Sequence, residues 1–320
     1  MKTLFTIPAS FAAALSLASF GVMADDFPEK DIRLIMPYGP GGATDVIFRL
    51  VTQEAEKHLP VSIVPVNMPG AGATRGSREV KDSTPDGYTL LGSHDTIVTS
   101  YLSGMADYSY DAFEPVALLT QTANIPATYA DHSVKSAEDI ATYIEENAGN
   151  VRIGMIPSST DHFFWIQFFQ AAGIDSDNVR LIGYPDTGSQ VSALLAKEID
   201  FSMLDMPSGH SFFESGEFLA LGVAYDERLP ALPDTPTLVE VGIDFVDTTS
   251  RGVFAPKGTP ENHVQIISDA YKAALAEDSV ISRIEGEFGS TANHIPPESY
   301  KDYLMENEAR LSEAAQNIDF

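Results

Sequence analysis

The chain has no cysteine. That absence excludes disulfides, thiolate zinc sites and cysteine nucleophiles. With 320 residues it has enough chain to bury a real core without covalent staples, and its length predicts two domains. Basic residues are scarce as well. Nineteen Lys and Arg stand against 46 Asp and Glu, giving a formal charge of −27 and a pI near 4.4. Such a balance disfavours nucleic acid and anionic membrane surfaces as partners. The carboxylates are mostly scattered, as on a solvated surface, and are not gathered into a cation site. No G-x-S-x-G elbow, P-loop lysine motif or H-E-x-x-H pair occurs. His58, His94, His132, His162, His210, His263 and His294 are dispersed, which argues against metal catalysis. No cofactor, metal or catalytic group is expected. A Ser/His/Asp arrangement assembled from distant segments stays open as the alternative, a secreted hydrolase or transferase using the same residues.

Long apolar runs are missing too, except at the start. Lys2 precedes a largely apolar stretch, Leu4 to Val22, and Val22-Met23-Ala24 supplies a small-residue cleavage pattern before Asp25-Asp26. This reads as a signal peptide over residues 1–24, cut after Ala24. The other reading, an N-terminal anchor, requires a longer apolar span. The mature chain is expected to be exported to the periplasm.

Against these absences stand two glycine-rich turns, each after an apolar β-like run. Pro37-Tyr38-Gly39-Pro40-Gly41-Gly42-Ala43-Thr44-Asp45 follows Ile32 to Met36, and Asn67-Met68-Pro69-Gly70-Ala71-Gly72-Ala73-Thr74 follows Val61 to Val66. Glycines let a backbone approach a ligand and turn its N–H groups inward, and a helix starting just beyond adds the positive end of its dipole. Two such turns on neighbouring strands make an anion site, most simply for a carboxylate. In the first turn the N–H groups of Gly41 to Thr44 and the Thr44 hydroxyl are candidate donors and Tyr38 a candidate wall. Asp45 caps the helix or holds an ordered water. The plain alternative is an ordinary β-to-α turn. For the second turn, with Ala71, Gly72, Ala73 and Thr74, the rival is a dinucleotide loop of G-x-G-x-x-x-G type. Asn67 and Pro69 interrupt the junction such a loop needs.

Strands and amphipathic helices alternate through the rest, predicting an α/β fold with mainly parallel sheets. Thr44 to Leu59 carries Ile47, Leu50, Val51 and Ala55 on one stripe. Thr89 to Gly92 and Val116 to Thr120 read as strands. A second block runs from strand Ile125 to Tyr129 through helix Ser136 to Asn147, with a capping-box-like Ser136-x-x-Asp139. Strand Arg152 to Ile156, helix Asp161 to Ala172, strand Val179 to Ile182, helix Ser189 to Lys197 and strands Asp200 to Leu204 and Ala220 to Ala224 follow. Strand Gly252 to Ala255, a helix opened by Pro260 and a helix from Pro297 to Ala315 complete the pattern.

In the second block, Pro157-Ser158-Ser159-Thr160-Asp161-His162 sits between a strand and a helix. Its hydroxyls and N–H groups either take a polar end of a ligand or simply cap the helix, and His162 is either a contact or a packed histidine. Phe163, Phe164, Trp165, Phe168 and Phe169 read as core. Arg75 and Arg251 each suit a bidentate carboxylate clamp or a structural role.

Six segments in order resemble the solute receptors of tripartite tricarboxylate transporters, the Bug family. They are Ile32 to Asp45, Asn67 to Gly76, Pro85 to Leu90, Tyr110 to Val116, Arg228 to Thr237 and Phe254 to Pro260. The resemblance implies a type II periplasmic-binding-protein fold with two α/β lobes, two hinge crossings and a ligand cleft. It implies lobe 1 over residues 25–124 and 248–320 and lobe 2 over 125–247. It further implies that Gly41, Gly42, Thr44, Asp45, Ala71, Gly72, Ala73 and Thr74 hold one carboxylate of a di-, tri- or aromatic carboxylate. Ser158, Ser159, Thr160 and His162, with Tyr184 and Asp205, would supply specificity. The implied partners are that ligand and the membrane permease subunits, for a monomeric, non-enzymatic protein or, alternatively, a periplasmic sensor subunit. The chain departs from the family's usual residues at Tyr38, Met68, Ala73 and Asp186, and carries Ser250-Arg251 where a Trp is usual.

Overall fold

The protein is described by a computed structural model covering residues 27–316. The expected signal peptide lies outside the described residues. In chain order, β1 (Ile32–Met36), α1 (Ala43–Ala55), β2 (Ile63–Asn67), α2 (Thr74–Lys81), β3 (Thr89–Ser93), α3 (Thr96–Leu102) and β4 (Phe113–Ala123) come first. Then follow β5 (Ile125–Tyr129), α4 (Glu138–Glu146), β6 (Val151–Met155), α5 (Thr160–Ala172), β7 (Val179–Gly183), α6 (Thr187–Leu195), β8 (Phe201–Leu204), α7 (Met206–Ser215) and β9 (Phe218–Ala220). The chain closes with β10 (Thr248–Pro256), α8 (Glu261–Ala274), α9 (Asp278–Gly286), β11 (Ser290–Ile295) and α10 (Pro297–Ala315).

The strands form two sheets, ordered β11-β4-β10-β3-β1-β2 and β7-β6-β8-β5-β9. Each is covered on both faces. In β1, Ile32, Leu34 and Met36 pack with Phe48 and Tyr271 of α1 and α8, whereas Ile35 packs with Val80 and Tyr300 of α2 and α10. In the second sheet Val151, Ile153 and Phe201 meet Trp165, Phe168 and Phe169, while Ala127 and Leu204 meet Leu194 of α6. The aromatic run of α5 is therefore core, as its composition predicts. Strand side chains point alternately to the two faces, so burial on both sides makes these strands continuously apolar.

The sheets are mixed, correcting the mainly parallel expectation. β1 pairs parallel with β2 and β3, and β6 with β7 and β8, but β10 runs antiparallel to β3 and β4, β11 to β4, and β5 to β8 and β9. The cause is the chain path. It leaves the first sheet at β4, builds the second, and returns as β10, entering between β3 and β4 from the opposite direction. The two passages lie side by side: the Asn124 N–H donates to the Asp247 carbonyl at 3.3 Å and Asn124 Nδ2 to the Asp247 carboxylate at 2.6 Å. The Ser136 capping box does not form; α4 starts after Ala137 with no side-chain cap. The strand expected over Ala220 to Ala224 instead spans β9, with Val223 and Ala224 forming only isolated bridges.

Gly252 of β10 is packed against the neighbouring strand and α10: a Cβ there would meet the Ala117 carbonyl oxygen at 2.8 Å, with the Tyr300 hydroxyl closer still. Gly252→Ala is expected to destabilise the protein by about 1–3 kcal/mol through overpacking. A denaturant melt with an unchanged midpoint would refute this.

Candidate functional site

The carboxyl ends of β1, β2 and β3 in the first sheet face those of β6, β7 and β8 in the second across a cleft of about 770 Å³. In open α/β sheets, ligands bind outside the carboxyl ends of the strands. Of the residues expected at a site, Tyr38, Gly41, Gly42, Thr44, Asp45, Gly72, Ala73, Ser159, Thr160 and Asp205 line this cleft. The other five lie off its wall. Thr74 Oγ1 donates to the Ala71 carbonyl at 2.7 Å, so this pair braces the second turn. The Ser158 N–H donates to His162 Nδ1 at 3.3 Å, and burial lowers the pKa of that imidazole. Tyr184 packs against the α6 side of the second sheet, near Gly154.

The first turn is built differently from the expectation in one respect. The Gly41 N–H is already given to Asp45 Oδ2, at 2.9 Å. Asp45 Oδ1 accepts from Arg49 Nε and from Asn67 Nδ2, each at 2.8 Å. Burial raises the pKa of this carboxyl, but these three donors outweigh it and hold the group below its ordinary value. Asp45 is thus a brace between the two turns, acceptor to its own loop. The donors left at the start of α1 are the N–H groups of Gly42, Ala43 and Thr44, which have no acceptor among the described residues. At the second turn Ala71, Gly72 and Ala73 have φ of 49°, 59° and 69°, three consecutive left-handed residues, before α2 begins. Such a run turns successive N–H groups toward a common centre.

The helices around the cleft differ in how they are capped, and α5, whose N-cap Ser159 makes no side-chain cap bond, is uncapped like α1 and α2. α1 and α2 start at Gly42 and Ala73 with no side-chain cap. In the second sheet's layer α6 is capped by Asp186 accepting from the Ser189 N–H, and α7 by a full capping box between Asp205 and Ser208. In the first turn of α5, buried Asp161 accepts from the Ile156 N–H and from Gln190 Nε2, each at 2.8 Å, and from Ser159 Oγ. Gln190 Oε1 in turn accepts from Ser202 Oγ at 2.8 Å. Burial raises the Asp161 pKa, with those donors opposing it. Uncapped helix N-termini favour an incoming anion, whereas α6 and α7 already hold capping carboxylates of their own.

At the back of the cleft lies Arg251 of β10, only 2% exposed. Its Nε donates to Thr44 Oγ1 at 3.1 Å and its Nη1 to Thr122 Oγ1 at 2.5 Å. The carboxylate facing it is Asp205 of the other layer, with Nη2 to Oδ2 at 3.8 Å, beyond a hydrogen bond. Burial lowers the Arg251 pKa against the pull of Asp205, Tyr38 and Asp95. Arg75, by contrast, is exposed on α2 and outside the cleft. His94, which follows β3, stacks on Tyr38 with ring centroids 4.6 Å apart. Its Nδ1 lies 3.4 Å from the Thr96 N–H, which makes Nδ1 an acceptor and places the ring hydrogen on Nε2. Tyr38, packed on that ring and bonded to Ser93 Oγ at 2.9 Å, has its pKa pushed up to about 12 by burial.

His94 and Asp161 are site residues that no local motif marks, and Arg251 suits a clamp or a structural role equally on sequence alone. The available signal was topological: His94 follows a third parallel strand at the same end as the two glycine turns.

Burial first, then the Arg251 charge, drives the His94 pKa from 6.5 down to about 3. The unfolded chain takes up this proton near 6.5 and the folded chain near 3, so the stability gained from a neutral His94 is full above 6.5 and lost as pH falls. We expect its ring resonances to stay at neutral-imidazole positions at about pH 5, and stability to fall less steeply between about pH 6 and 4 in His94→Gln. NMR and denaturant melts across pH test both, and a His94 midpoint near the ordinary value would overturn the assignment.

The family model described as "Tripartite tricarboxylate transporter family receptor" matches residues 47–310. A UPF0065 protein of Bordetella pertussis is 30% identical over 270 residues, covering 82% of this chain and 81% of that protein. Among solved structures, MatC from Rhodopseudomonas palustris with bound malate aligns with a TM-score of 0.79 at 26% identity, covering 90% of this chain and all of that one. The periplasmic binding protein BugD aligns with a TM-score of 0.78 at 25% identity, over 91% of this chain and 98% of its own. The two-sheet fold is therefore that of the periplasmic binding proteins, and the chain belongs to the tripartite tricarboxylate transporter receptor family.

Proposed function

We propose that this chain is a periplasmic receptor that captures a small organic carboxylate in the cleft and delivers it to the permease subunits of a tripartite transporter. It acts as a monomer and makes or breaks no bond. The observation that carries this is the pairing of two uncapped helix N-termini, at Gly42 and Ala73, with a buried arginine whose Nη2 has no hydrogen-bond acceptor among the described residues. The malate bound to MatC, a structural relative, supports the same chemistry. A cleft of this volume suits a small ligand.

In this reading residues 25–124 with 248–320 form one lobe and 125–247 the other. Export follows from the residue 1–24 leader; among the described residues no helix is long and apolar enough to cross a membrane. The overall negative charge does not defeat anion capture. Remote carboxylates are screened beyond about 8 Å at physiological ionic strength, whereas the N–H donors and Arg251 act at contact.

A thermal-shift panel tests this: propionate, succinate, glutarate and phenylacetate, each with its 2-hydroxy counterpart, against uncharged sugars. At least one carboxylate should raise the melting temperature, as about 100 times its Kd contributes about 2.7 kcal/mol. A response to uncharged solutes alone would overturn the reading. A Cβ at Gly42 meets nothing within 4 Å and φ there is −76°, so Gly42→Val should fold normally. Its side chain occupies the carboxylate's place, and binding is expected to weaken by at least about tenfold with stability changed by no more than about 0.5 kcal/mol.

A further inference from the structure

We infer that the ligand carries a hydroxyl next to its carboxylate, and that Arg251 and Asp205 together select it. The inference rests on the carboxylate-capture reading and narrows it to 2-hydroxy acids. Arg251 Nη2 and Asp205 Oδ2 lie 3.8 Å apart, too far for a hydrogen bond and close enough for one atom to contact both. Neither atom has another hydrogen-bond partner among the described residues. Asp205 Oδ1 is committed to the Ser208 N–H at 2.9 Å and to Ser208 Oγ at 2.6 Å. Nε and Nη1 of Arg251 are committed to Thr44 and Thr122. Both side chains are rigidly held, Arg251 by burial and Asp205 by its capping box, and both line the cleft.

An atom bridging this gap must accept a hydrogen bond from Nη2 and donate one to Oδ2. A hydroxyl does both at ordinary O–H···O and N–H···O lengths. An ammonium donates but cannot accept, and would sit against a buried guanidinium in a medium where like charges repel strongly. A carboxylate oxygen accepts from Nη2 but faces the Asp205 charge, and a methylene leaves both groups unpaired. Arg251 Nε holds the Thr44 hydroxyl, and the Thr44 N–H is one of the proposed carboxylate donors, so the two ligand positions are neighbours and the bridged hydroxyl is assigned to carbon 2.

Calorimetry on the mature protein tests this with matched acids differing only at carbon 2: lactate, propionate and alanine; malate, succinate and aspartate; 2-hydroxyglutarate, glutarate and glutamate; mandelate, phenylacetate and phenylglycine. The hydroxy acid of the accepted skeleton should bind at least about tenfold tighter than its deoxy partner, and the amino acid weaker than both. Asp205→Asn keeps a competent cap, and Asp205→Ser provides a second if it folds poorly. In either, the hydroxy-to-deoxy ratio should fall below about threefold while the deoxy acid binds more tightly, because Arg251 loses a competing carboxylate. A purely structural role for Asp205 would weaken all three acids alike and overturn the inference. Equal binding of hydroxy and deoxy acids, or preference for the amino acid, overturns it and leaves carboxylate capture standing. No binding by any acid overturns both.

Discussion

One buried cation organises this molecule. Arg251 sits in a chain of formal charge −27, yet among the described residues no carboxylate lies within hydrogen-bond reach of it. Taking a guanidinium out of water costs several kcal/mol unless its donors are met. Here the hydroxyls of Thr44 and Thr122 and, at 3.4 Å, the Thr249 carbonyl meet them in part. Those partners lie on α1 and on β4 and β10 near the two crossings, and Asp205 faces the guanidinium from the start of α7. The same side chain therefore ties the first glycine turn to both crossings and looks across the cleft. A ligand oxygen arriving at Nη2 completes a solvation shell that the fold leaves incomplete.

The surroundings follow from topology. Each parallel strand ends in a turn whose next helix points its positive end back over the carboxyl edge of the sheet. Two such sheets face each other, so several helix N-termini converge on one cleft and create local positive potential in an acidic protein. The two sides differ in capping, with α5 as the exception, since its N-cap Ser159 makes no side-chain cap bond. Gly42 and Ala73 carry no oxygen to offer the first N–H groups of their helices, whereas Asp186 and Asp205 supply one. The uncapped α1 and α2 ask for an anion, whereas α6 and α7 already own carboxylates.

Legibility in the sequence tracks how local the determinant is. The glycine turns, the Gly173 stop of α5 and the Pro297 start of α10 were readable, because backbone conformation and capping depend on a few adjacent residues. Helix α7 was missed because Met206-Pro207-Ser208-Gly209 resembles a loop, although Asp205 before a proline at the helix start was its signal. α9 and β11 were missed too, and β11's place at the sheet edge against β4 depends on register between distant segments. The donors of the first turn were legible and their occupancy was not: nothing local says that Asp45 takes the Gly41 N–H. Arg251 was undecidable for the same reason, since its burial comes from β3, β4 and α1 closing around it.

Contact with both layers is also what a receptor needs in order to report that it is loaded. A ligand shifts a conformational equilibrium only by its differential affinity for the two states. Carboxylate contacts to α1 and α2 alone are the same whether or not the second layer approaches, so they confer affinity without favouring closure. A group bridging Arg251 and Asp205 is satisfied only when those residues are near each other, and its hydrogen bonds exist only in that arrangement. The polar network behind the cleft, where Arg310 of α10 reaches both Asp247 and Gln167 of α5, spans the two layers without any ligand atom. On the proposed carboxylate-capture reading, affinity comes from the helix N-termini of the first layer, and both selectivity and any preference for a closed cleft come from the pair Arg251 and Asp205.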